Sequence, residues 1–586
     1  MTATDVPLPR SAPGLRRPRS YGLRRRLVPT SVTQGLVWLV ALVLVAGPII
    51  PLIYTSFQSQ PYYLPGGTWS LQPYRTLFDD PAFWHAVENT LVFAAMATVL
   101  AVGLGTLFAV LVNRTNLPGR RWWRILLIAP IVIPPLGLIV GWTSIYGSAG
   151  YVTQVVGKDL GLPTWNLSSI AGMAVLGCAV SLPIAFLTVQ ASLRGSDGTL
   201  ENAALSAGAS PAAVLRRITV PLLRPAMLNS AILIFALSLE TLGIPLFIGS
   251  PANINFYASY LYNGWVNGST PNPPFVSAGA VLLLVVVTLL LVVRTTLLGS
   301  EERFIVARGA GGPEAPPLNL GWARHIWAVA VGAFVVVTSI VPLVGLGLMS
   351  SVKELTTLVA PWHLWTSANW QAVFSNATFR RSILDSLLIA AVGGIVTVVF
   401  VAVATLIAHR SRFPMARTMA PLLIYPRAIP GIILGVGFFW AFLIVNVPGE
   451  FLRNSIWGEM LALCVRNITI AYIVLYPSVA TISNGFDQAA SAAGARWWTI
   501  ARRITLPILR PAMIAAFVLM FITLLSDYDP VVFLQKPGTE VLGVTMLQSW
   551  EKGLPGVVAA LAVLQVAVVA AVLLAAAKVL RRRFHA

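Results

Sequence analysis

The sequence predicts an all-α polytopic membrane protein with about 12 transmembrane helices in two parallel-related halves of six. Of its 586 residues, 57% are hydrophobic and only 10% are charged, whereas soluble domains have about 25% charged residues. Apolar segments of the roughly 20 residues needed to cross a bilayer recur along the whole chain. A polar stretch that begins at position 201 also returns at position 487. These observations exclude a soluble globular fold and indicate an internal duplication.

The apolar segments divide into two sets of six. Only helical backbone satisfies its own hydrogen bonds in lipid, so each segment is predicted to be a helix. In the first half the predicted spans lie near 34–57, 86–112, 124–147, 168–192, 227–249 and 275–298. In the second half they lie near 325–350, 383–408, 418–446, 459–481, 512–534 and 556–577. Because six is even, both halves insert in the same sense, as in parallel-repeat transporters.

The two halves align with one change of offset. Trp69 matches Trp365 at 365 − 69 = 296 positions, whereas Gly208 matches Gly494 at 494 − 208 = 286. The difference falls in a longer loop between the third and fourth predicted spans of the first half. The predicted organisation is a basic tail, a six-span repeat, a flexible linker, a second repeat and a short basic tail, at 1–33, 34–298, 299–324, 325–580 and 581–586.

The positive charge follows the predicted membrane topology. The formal net charge is +20, but the basic residues lie in short blocks beside apolar runs, so we interpret them as orientation signals and exclude nucleic-acid binding. Both tails, the linker and both copies of the repeated stretch fall on one side of the lipid bilayer. The positive-inside rule makes that side cytoplasmic. Both termini are therefore expected in the cytoplasm.

The repeated stretch joins the fourth and fifth spans of each half. It reads ENAALSAGASPAAVLRRITVPLLRPAM from Glu201 and DQAASAAGARWWTIARRITLPILRPAM from Asp487. We call these segments docking loop 1 and docking loop 2. An amphipathic connector in the headgroup layer would explain one such loop, but not two that match residue for residue while the flanking spans differ. Alanines permit close approach and paired arginines bond carbonyls or carboxylates, so we interpret the loops as one docking surface used twice.

The loop residues also predict local structure. Gly208 and Gly494 suit the left-handed position that ends an alanine-rich helix. In docking loop 1, Ser210 followed by Pro211 suits the start of a second short helix. That helix carries two arginines and is expected to end at Pro221.

Both loops resemble the cytoplasmic loop of the inner-membrane permeases of binding-protein-dependent ABC importers, which has the form E-A-A-x-x-x-G-x9-I-x-L-P. The residues that match it, with the paired arginines, are Ala203, Ala204, Gly208, Arg216, Arg217 and Pro221 in docking loop 1, and Ala489, Ala490, Gly494, Arg502, Arg503 and Pro507 in docking loop 2. The family's glutamate position holds Asn202 and Gln488 instead, with the acid one residue earlier, and Val220 replaces its leucine in docking loop 1.

The resemblance covers both halves and is closest to the fused, double-length permeases of the ferric-iron type. It implies a bacterial inner-membrane protein whose loops sit in clefts of two copies of an ABC ATPase subunit. ATP and magnesium would be bound by those partners, and an extracytoplasmic substrate-binding protein would deliver the cargo. The segment SLETLGIPLFIG, at the fifth span, resembles ferric-type permeases. Related permeases for phosphonates, thiamine or polyamines share much of this pattern and remain alternatives.

The chain carries no motif for catalysis of its own. Its Gly157-Lys158 pair lacks the other residues of a phosphate-binding loop, and no nucleophile elbow or zinc-protease motif occurs. Two cysteines and five histidines provide no metal-ligand spacing. No catalytic residue, metal site or cofactor is therefore expected in this chain, and we predict that it is not an enzyme. The competing class is an ion-coupled carrier with six plus six spans, which needs no docking loop.

Four ionisable residues at membrane depth are candidates for a translocation path. Such residues are costly in a bilayer and indicate function by default. Glu240 lies in the fifth predicted span, Asp527 in the eleventh, Arg427 in the ninth and Arg466 in the tenth. In the family that the chain resembles, the fifth and eleventh spans line the path. The alternative is that the acids pair with Arg427 or Arg466 and only hold helices together.

Overall fold

The computed structural model describes residues 28–161, 163–195, 199–266, 273–298, 317–445 and 447–584. Over these ranges the chain is helical, and its only β-structure is three isolated bridges. Nine described helices are long and apolar enough to cross a membrane, and three sharply bent helix pairs raise the count to as many as 12. The predicted fold class, an all-α polytopic membrane protein, is confirmed.

The first half contains spans 1 to 6. Spans 2, 4 and 6 are single helices, and the others consist of two helices each. In order, the bounds are Val28–Ala46 with Ile49–Ser56, Pro81–Arg114, Arg120–Ile128 with Pro135–Tyr146, Ile170–Gly195, Pro211–Leu222 with Arg224–Leu239, and Pro273–Leu298. The shorter helices between them include Gln72–Asp79, Tyr151–Gln154, Thr199–Ser206 and Tyr257–Val266.

The second half contains spans 7 to 12. In order, their bounds are Ala323–Val335 with Val341–Ser351, Ala377–Leu388 with Gly394–Arg410, Ala416–Ile424 with Gly431–Ile444, Ile456–Thr481, Trp497–Ser526, and Pro555–Phe584. Single π-helical turns interrupt spans 7, 8 and 11. The shorter helices are Ala368–Ser375, Val447–Arg453, Asn484–Ala492 and Leu542–Glu551.

Spans 3 and 9 are broken at the same place. Their two parts meet at bends of 100° and 108°, and the second part of each begins directly after Pro134 or Pro430. A proline restricts the residue before it and cannot donate a backbone hydrogen bond, so the chain leaves the helical conformation at this point in both spans. In span 9 the hydroxyl of Thr469 bonds the carbonyls of Leu423 and Ile424, at 2.9 and 3.2 Å. Carbonyls freed by that break are therefore satisfied by packing against span 10.

Spans 5 and 11 end earlier than the hydropathy predicts. The helices stop at Leu239 and Ser526, although apolar residues continue to the predicted ends at 249 and 534. Beyond Leu239 the chain forms a buried irregular segment with a π-helical turn at Pro245–Gly249. Hydropathy detects burial but not helix, which explains the error. As a result both helices end inside the protein, and the next residues are Glu240 and Asp527.

The first span of each half packs against the other half. Trp38 in span 1 donates its indole N–H to Thr418 in span 9, at 2.8 Å. Trp142 in span 3 donates to the carbonyl of Thr338 in span 7, at 3.0 Å. The two halves therefore form one interlocked body rather than two separable bundles.

The structure revises the predicted tails and linker. The first helix begins at Val28, inside the predicted tail 1–33. The last helix ends at Phe584, inside the predicted tail 581–586. Residues 1–27 and the linker residues 299–316 lie outside the described ranges. Leu318, near the linker's end, bonds through its N–H to the carbonyl of Arg114, at 2.8 Å, and through its carbonyl to the N–H of Asn116, at 3.1 Å. This part of the linker is anchored rather than a flexible joint.

Candidate functional site: two docking loops and a buried ion cluster

Each docking loop contains two helices that meet at a glycine, and in docking loop 2 the second of them is the start of span 11. The first helices are Thr199–Ser206 and Asn484–Ala492. The glycines that follow, Gly208 and Gly494, have φ angles of +85° and +84°, a conformation that costs other residues about 1–2 kcal/mol. The N–H after each glycine donates to the carbonyl five residues back, at 3.0 Å in both loops. The predicted left-handed helix end is therefore present twice.

The second helix of docking loop 1 begins and ends close to where it was predicted. Ser210 accepts a hydrogen bond from the N–H of Ala213 at 3.3 Å, and Pro211 occupies the first turn. The helix ends at Leu222, one residue after Pro221, and a bend of 58° separates it from the next helix. A π-helical turn at Leu215–Thr219 precedes the proline. Docking loop 2 has the same turn before Pro507, but there the helix continues to Ser526.

The two loops expose equivalent residues. The first alanine, the glycine and both arginines are exposed, whereas the second alanine and the proline are half-buried. The exposed residues are Ala203, Gly208, Arg216, Arg217, Ala489, Gly494, Arg502 and Arg503, and the half-buried ones are Ala204, Pro221, Ala490 and Pro507. The repetition seen in the sequence therefore extends to two matching surfaces of small and basic residues.

Docking loop 2 has attachments that docking loop 1 cannot make. The indole N–H of Trp497 donates to the carbonyl of Arg410 at 2.9 Å, and that of Trp498 donates to the hydroxyl of Thr33 at 2.7 Å. The matching positions of docking loop 1, at 497 − 286 = 211 and 498 − 286 = 212, hold Pro211 and Ala212. Docking loop 2 is therefore tied to spans 1 and 8 by aromatic side chains that docking loop 1 lacks.

Three of the four predicted path residues meet in one buried cluster. One guanidinium nitrogen of Arg466 lies 2.7 Å from a carboxylate oxygen of Asp527 and 2.8 Å from one of Asp529. The other lies 3.6 Å from a carboxylate oxygen of Glu240. The Arg466 side chain is only 6% exposed. The cluster thus joins the early ends of spans 5 and 11 to span 10, across the boundary between the halves.

Two further residues complete the cluster. The amide of Asn467 donates to the second oxygen of Asp527 at 2.8 Å. The N–H of Gly431, the first residue of the second helix of span 9, donates to Glu240 at 3.3 Å, where the helix dipole also favours negative charge. A Cβ atom on Gly431 would lie against the guanidinium of Arg466 and 2.6 Å from the Cβ of Asp529. The break in span 9 therefore admits the cluster only with glycine at this position.

The fourth predicted path residue, Arg427, lies apart from this cluster. It belongs to the 3-10 turn Tyr425–Ala428 at the break in span 9, and its side chain is exposed. The described residues supply no ion-pair partner for it. Of the two arginines considered as counter-ions, the acids contact Arg466.

Sequence reasoning assigned no role to three positions that organise the two sites. Gly431 closes the ion cluster, and Arg114 and Arg410 bond the acids at the start of the docking loops, Glu201 and Asp487. A signal for the arginines was present, since both match across the halves at 410 − 114 = 296 and end an apolar span. No signal local to Gly431 indicated its contact, because Arg466 follows it by 35 residues (466 − 431) in another span.

The chain matches one protein family twice. The model of the family described as "Binding-protein-dependent transport system inner membrane component" matches residues 101–299 and 401–586. Each matched region contains one complete docking loop. The repetition read from the sequence is therefore a repetition of this family's domain.

Similar proteins include both double-length and shorter permeases. A putative ferric transport system permease protein of Haemophilus influenzae is 23% identical over 484 residues, which cover 81% of this chain and 74% of that protein. A ferric transport system permease protein of Actinobacillus pleuropneumoniae is 24% identical over 498 residues, covering 84% and 70%. A putrescine transport system permease protein of Escherichia coli is 30% identical over 209 residues, covering 35% and 70%.

Among solved structures, a bacterial ABC transporter involved in the import of the acidic polysaccharide alginate aligns with a TM-score of 0.36 and 17% identity. The alignment covers 44% of this chain and 96% of that chain. The family matches lie in both halves and together span more than half of the chain. The chain therefore belongs to the family of binding-protein-dependent transport system inner membrane components, as a fused permease with two such domains.

Proposed function

We propose that this chain is the membrane subunit of an ATP-driven importer that moves ferric iron into the cytoplasm by alternating access. The single observation that carries the importer part is the pair of docking loops, which share a left-handed glycine turn, a π-helical turn and exposed paired arginines. Two equivalent surfaces on one chain fit two copies of one ATPase subunit. Ion-coupled carriers have no use for such a pair.

The partners follow from what the chain lacks in its sequence. It carries no complete phosphate-binding loop, so ATP and magnesium are bound by the ATPase subunits. An extracytoplasmic binding protein delivers cargo to the opposite face. This arrangement requires both docking loops and both termini on the cytoplasmic side of the bacterial inner membrane, in agreement with the positive-inside rule.

The ion cluster supports a cationic cargo. Three carboxyl groups, from Glu240, Asp527 and Asp529, face the one guanidinium of Arg466, so acidic groups outnumber basic ones at this site and favour a cation over an anion. Within the described residues no group of three or more His, Cys, Asp or Glu is placed to hold a metal ion. A transport path suits such weak contacts, because a cargo held tightly does not leave.

Ferric iron is preferred because three relatives that extend over more than four-fifths of this chain are named as ferric or Fe(3+) transport permeases. The putrescine relative covers 35% of the chain. Polyamines are also cations, and the cluster alone does not separate them from iron. Phosphonate and thiamine remain alternatives from the sequence resemblance.

Co-purification tests the importer assignment. The chain, tagged and extracted from its native membrane, is expected to bring an ABC ATPase subunit with it in a ratio of one permease to two ATPase copies. The double variant Arg216→Glu, Arg502→Glu places a negative charge on each docking surface and should abolish co-purification of the ATPase subunit. Recovery of the permease alone from the unmodified membrane contradicts the assignment.

Uptake measurements test the cargo. Cells that lack the gene are compared with complemented cells for accumulation of labelled ferric iron, putrescine, a phosphonate and thiamine. Loss of iron uptake alone is expected. Unchanged iron uptake together with loss of an organic substrate refutes the iron assignment and leaves the importer assignment standing.

A further inference from the structure

Each docking loop is held by an arginine from a span to which the loop is not directly joined. Arg114 is the last residue of span 2, and Arg410 is the last residue of span 8. The Nε of Arg114 lies 3.6 Å from an oxygen of Glu201, and an Nη of Arg410 lies 2.9 Å from an oxygen of Asp487. The acid that opens each docking loop therefore contacts an arginine of the same chain. We call these pairs clamp 1 and clamp 2.

Both clamps also reach the second helix of their loop. In clamp 1 the other oxygen of Glu201 accepts a hydrogen bond from the hydroxyl of Thr219 at 2.8 Å. In clamp 2 the backbone carbonyl of Arg410 accepts one from Trp497 at 2.9 Å. The chemistry differs but the connection is the same, because each clamp joins both helices of a loop to the end of a neighbouring span.

The arginines also bond the chain that leads into each loop. Arg114 donates to the carbonyl of Leu193 at 2.9 Å, near the end of span 4. Arg410 donates to the carbonyl of Ile482 and, at 3.4 Å, to the side chain of Asn484. Each arginine thus contacts residues near the junction between the preceding span and its docking loop.

Burial distinguishes the clamps from surface ion pairs. Arg114 and Glu201 are 5% and 4% exposed; in clamp 2 the Arg410 side chain is 6% exposed and that of Asp487 is 27% exposed. By contrast, the arginine of the pair Arg381–Glu540 is 57% exposed, and its closest nitrogen–oxygen distance is 3.9 Å. An exposed arginine contributes little to an ion pair, whereas separating a pair whose arginine is buried leaves uncompensated charge. Each clamp, with its buried arginine, therefore resists separation when the loops are moved, and clamp 1 is the more deeply buried of the two.

We propose that Arg114 and Arg410 are positioning residues that carry movement of the docking loops into spans 2 and 8. Through the backbone, docking loop 1 is joined only to spans 4 and 5, and docking loop 2 only to spans 10 and 11. Clamp 1 adds span 2 to the helices that move with docking loop 1, and clamp 2 adds span 8 to those that move with docking loop 2. This inference rests on the proposed docking of ATPase subunits and assigns how their motion is distributed after docking.

A distance measurement tests whether each loop and its clamped span move together. Spin labels are placed at Arg412→Cys, just beyond span 8, and Ser491→Cys, in docking loop 2, since both positions are exposed. The native Cys178 and Cys464 are replaced by alanine. In the assembled complex, the label-to-label distance should be the same without nucleotide and with ATP. In the Asp487→Asn variant, which removes the charge of clamp 2, the distance should shift or broaden when ATP binds.

ATP hydrolysis supplies the second readout. The double variant Glu201→Gln, Asp487→Asn should lower the stimulation of hydrolysis by the binding protein at least about fivefold, the lower end of ordinary allosteric coupling. Stimulation is expressed relative to hydrolysis by the same complex without binding protein, and the amount of co-purified ATPase shows whether docking is intact. Asp487→Glu keeps the charge and should retain stimulation. Glu540→Gln, which removes a carboxylate from an ion pair outside both docking loops, is the matched control and should behave as the unmodified chain.

Several outcomes overturn the proposal. An ATP-independent distance in Asp487→Asn, or normal stimulation in the double variant, shows that the clamps transmit nothing. Loss of co-purified ATPase in the double variant shows instead that the acids serve docking or loop folding. If the unmodified chain brings no ATPase with it, the proposed function fails and the transmission role falls with it, which is a different result from failure of the variants alone.

Discussion

The two halves agree closely at the cytoplasmic face and differ in the interior. Both docking loops have the same turns and the same exposed residues. The arginine of the ion cluster, however, occurs once, because position 466 − 286 = 180 of the first half holds Val180. Under the proposed function, a surface that meets two copies of one ATPase subunit is needed twice, whereas a path between the halves needs one charged site. The pattern of agreement therefore fits separate places for the proposed docking and the proposed transport.

The largest effect is expected when Arg466 is replaced by valine, the residue at the matching position of the first half. In Arg466→Val, three buried carboxylates lose their counter-charge, and breaking such a site costs about 3–5 kcal/mol. Thermal unfolding of the purified protein in detergent should show a large loss of stability, and uptake should disappear. The matched control is Arg427→Val, an exposed arginine outside the cluster, which should unfold as the unmodified chain does.

A compensated variant distinguishes structure from transport at the same site. Combining Arg466→Val with Glu240→Gln, Asp527→Asn and Asp529→Asn removes both signs of charge, and replacing a whole buried ion group is often close to neutral for stability. Stability should return while cation uptake remains absent. Full recovery of uptake means that the cluster only holds helices together, which was the alternative interpretation of these residues.

The next effect is steric and also distinguishes the halves. Gly431→Ala places a methyl group against Arg466 and Asp529, and overpacking of this kind costs about 1–3 kcal/mol. The matching first-half position, at 431 − 296 = 135, already carries a side chain, Pro135. The melting temperature should fall for Gly431→Ala and not for Gly103→Ala, since a Cβ on Gly103 meets nothing within 4 Å. Equal behaviour of the two alanine variants contradicts the assigned packing.

A smaller effect on stability, with a larger one on coupling, is expected at the docking loops. Gly208→Glu and Gly494→Glu force a side chain into the left-handed conformation, at about 1–2 kcal/mol, and add negative charge beside the exposed arginines. Each variant should reach the membrane but show reduced binding-protein-stimulated ATP hydrolysis. The effects are expected to differ, because Trp497 and Trp498 hold only docking loop 2.

Gly553→Glu is the control for backbone strain. Gly553 has a φ of +71°, and a Cβ atom added to it, as to either docking-loop glycine, would meet nothing within 4 Å. It lies in the connection between spans 11 and 12, outside both docking loops. Stimulation should be normal in this variant, and an equal loss in all three means that strain alone, rather than the docking surface, causes the effect.

The smallest effect on activity is expected from cysteine substitutions that test the orientation of the docking loops in the membrane. Ser206→Cys and Ala492→Cys lie at exposed positions, one in each docking loop. Both should be modified by a membrane-impermeant reagent only from the cytoplasmic side, in a background without Cys178 and Cys464. Modification of either from outside contradicts the shared orientation of the halves and the docking proposal together.

The parts of this structure that were predictable are those encoded locally. The number of apolar segments gives the spans, and a short residue pattern gives the turns at Gly208 and Gly494. The early ends of spans 5 and 11 were missed because hydropathy does not separate helix from buried irregular backbone. Gly243 and Pro245 were the available signals, since neither favours continuing a helix.

The pairings within the ion cluster were not predictable for a different reason. Glu240 and Arg466 are separated by 466 − 240 = 226 residues and belong to different halves, so their contact depends on how the halves pack. The sequence left two arginines open as partners. Only the three-dimensional arrangement separates Arg466, which is buried between the early helix ends, from Arg427, which is exposed.

The packing of the first span of each half against the other half has a consequence for biosynthesis. Trp38 and its partner Thr418 are 380 residues apart, and ribosomes add about 5–20 residues per second. Span 1 therefore waits in the bilayer for roughly 20 to 80 seconds before its partner helix is made. During that time its uncovered face is open to lipid, to insertion factors and to other nascent chains. Fusion of the two halves into one polypeptide guarantees that the partner helix, once made, arrives in the same place and in equal number.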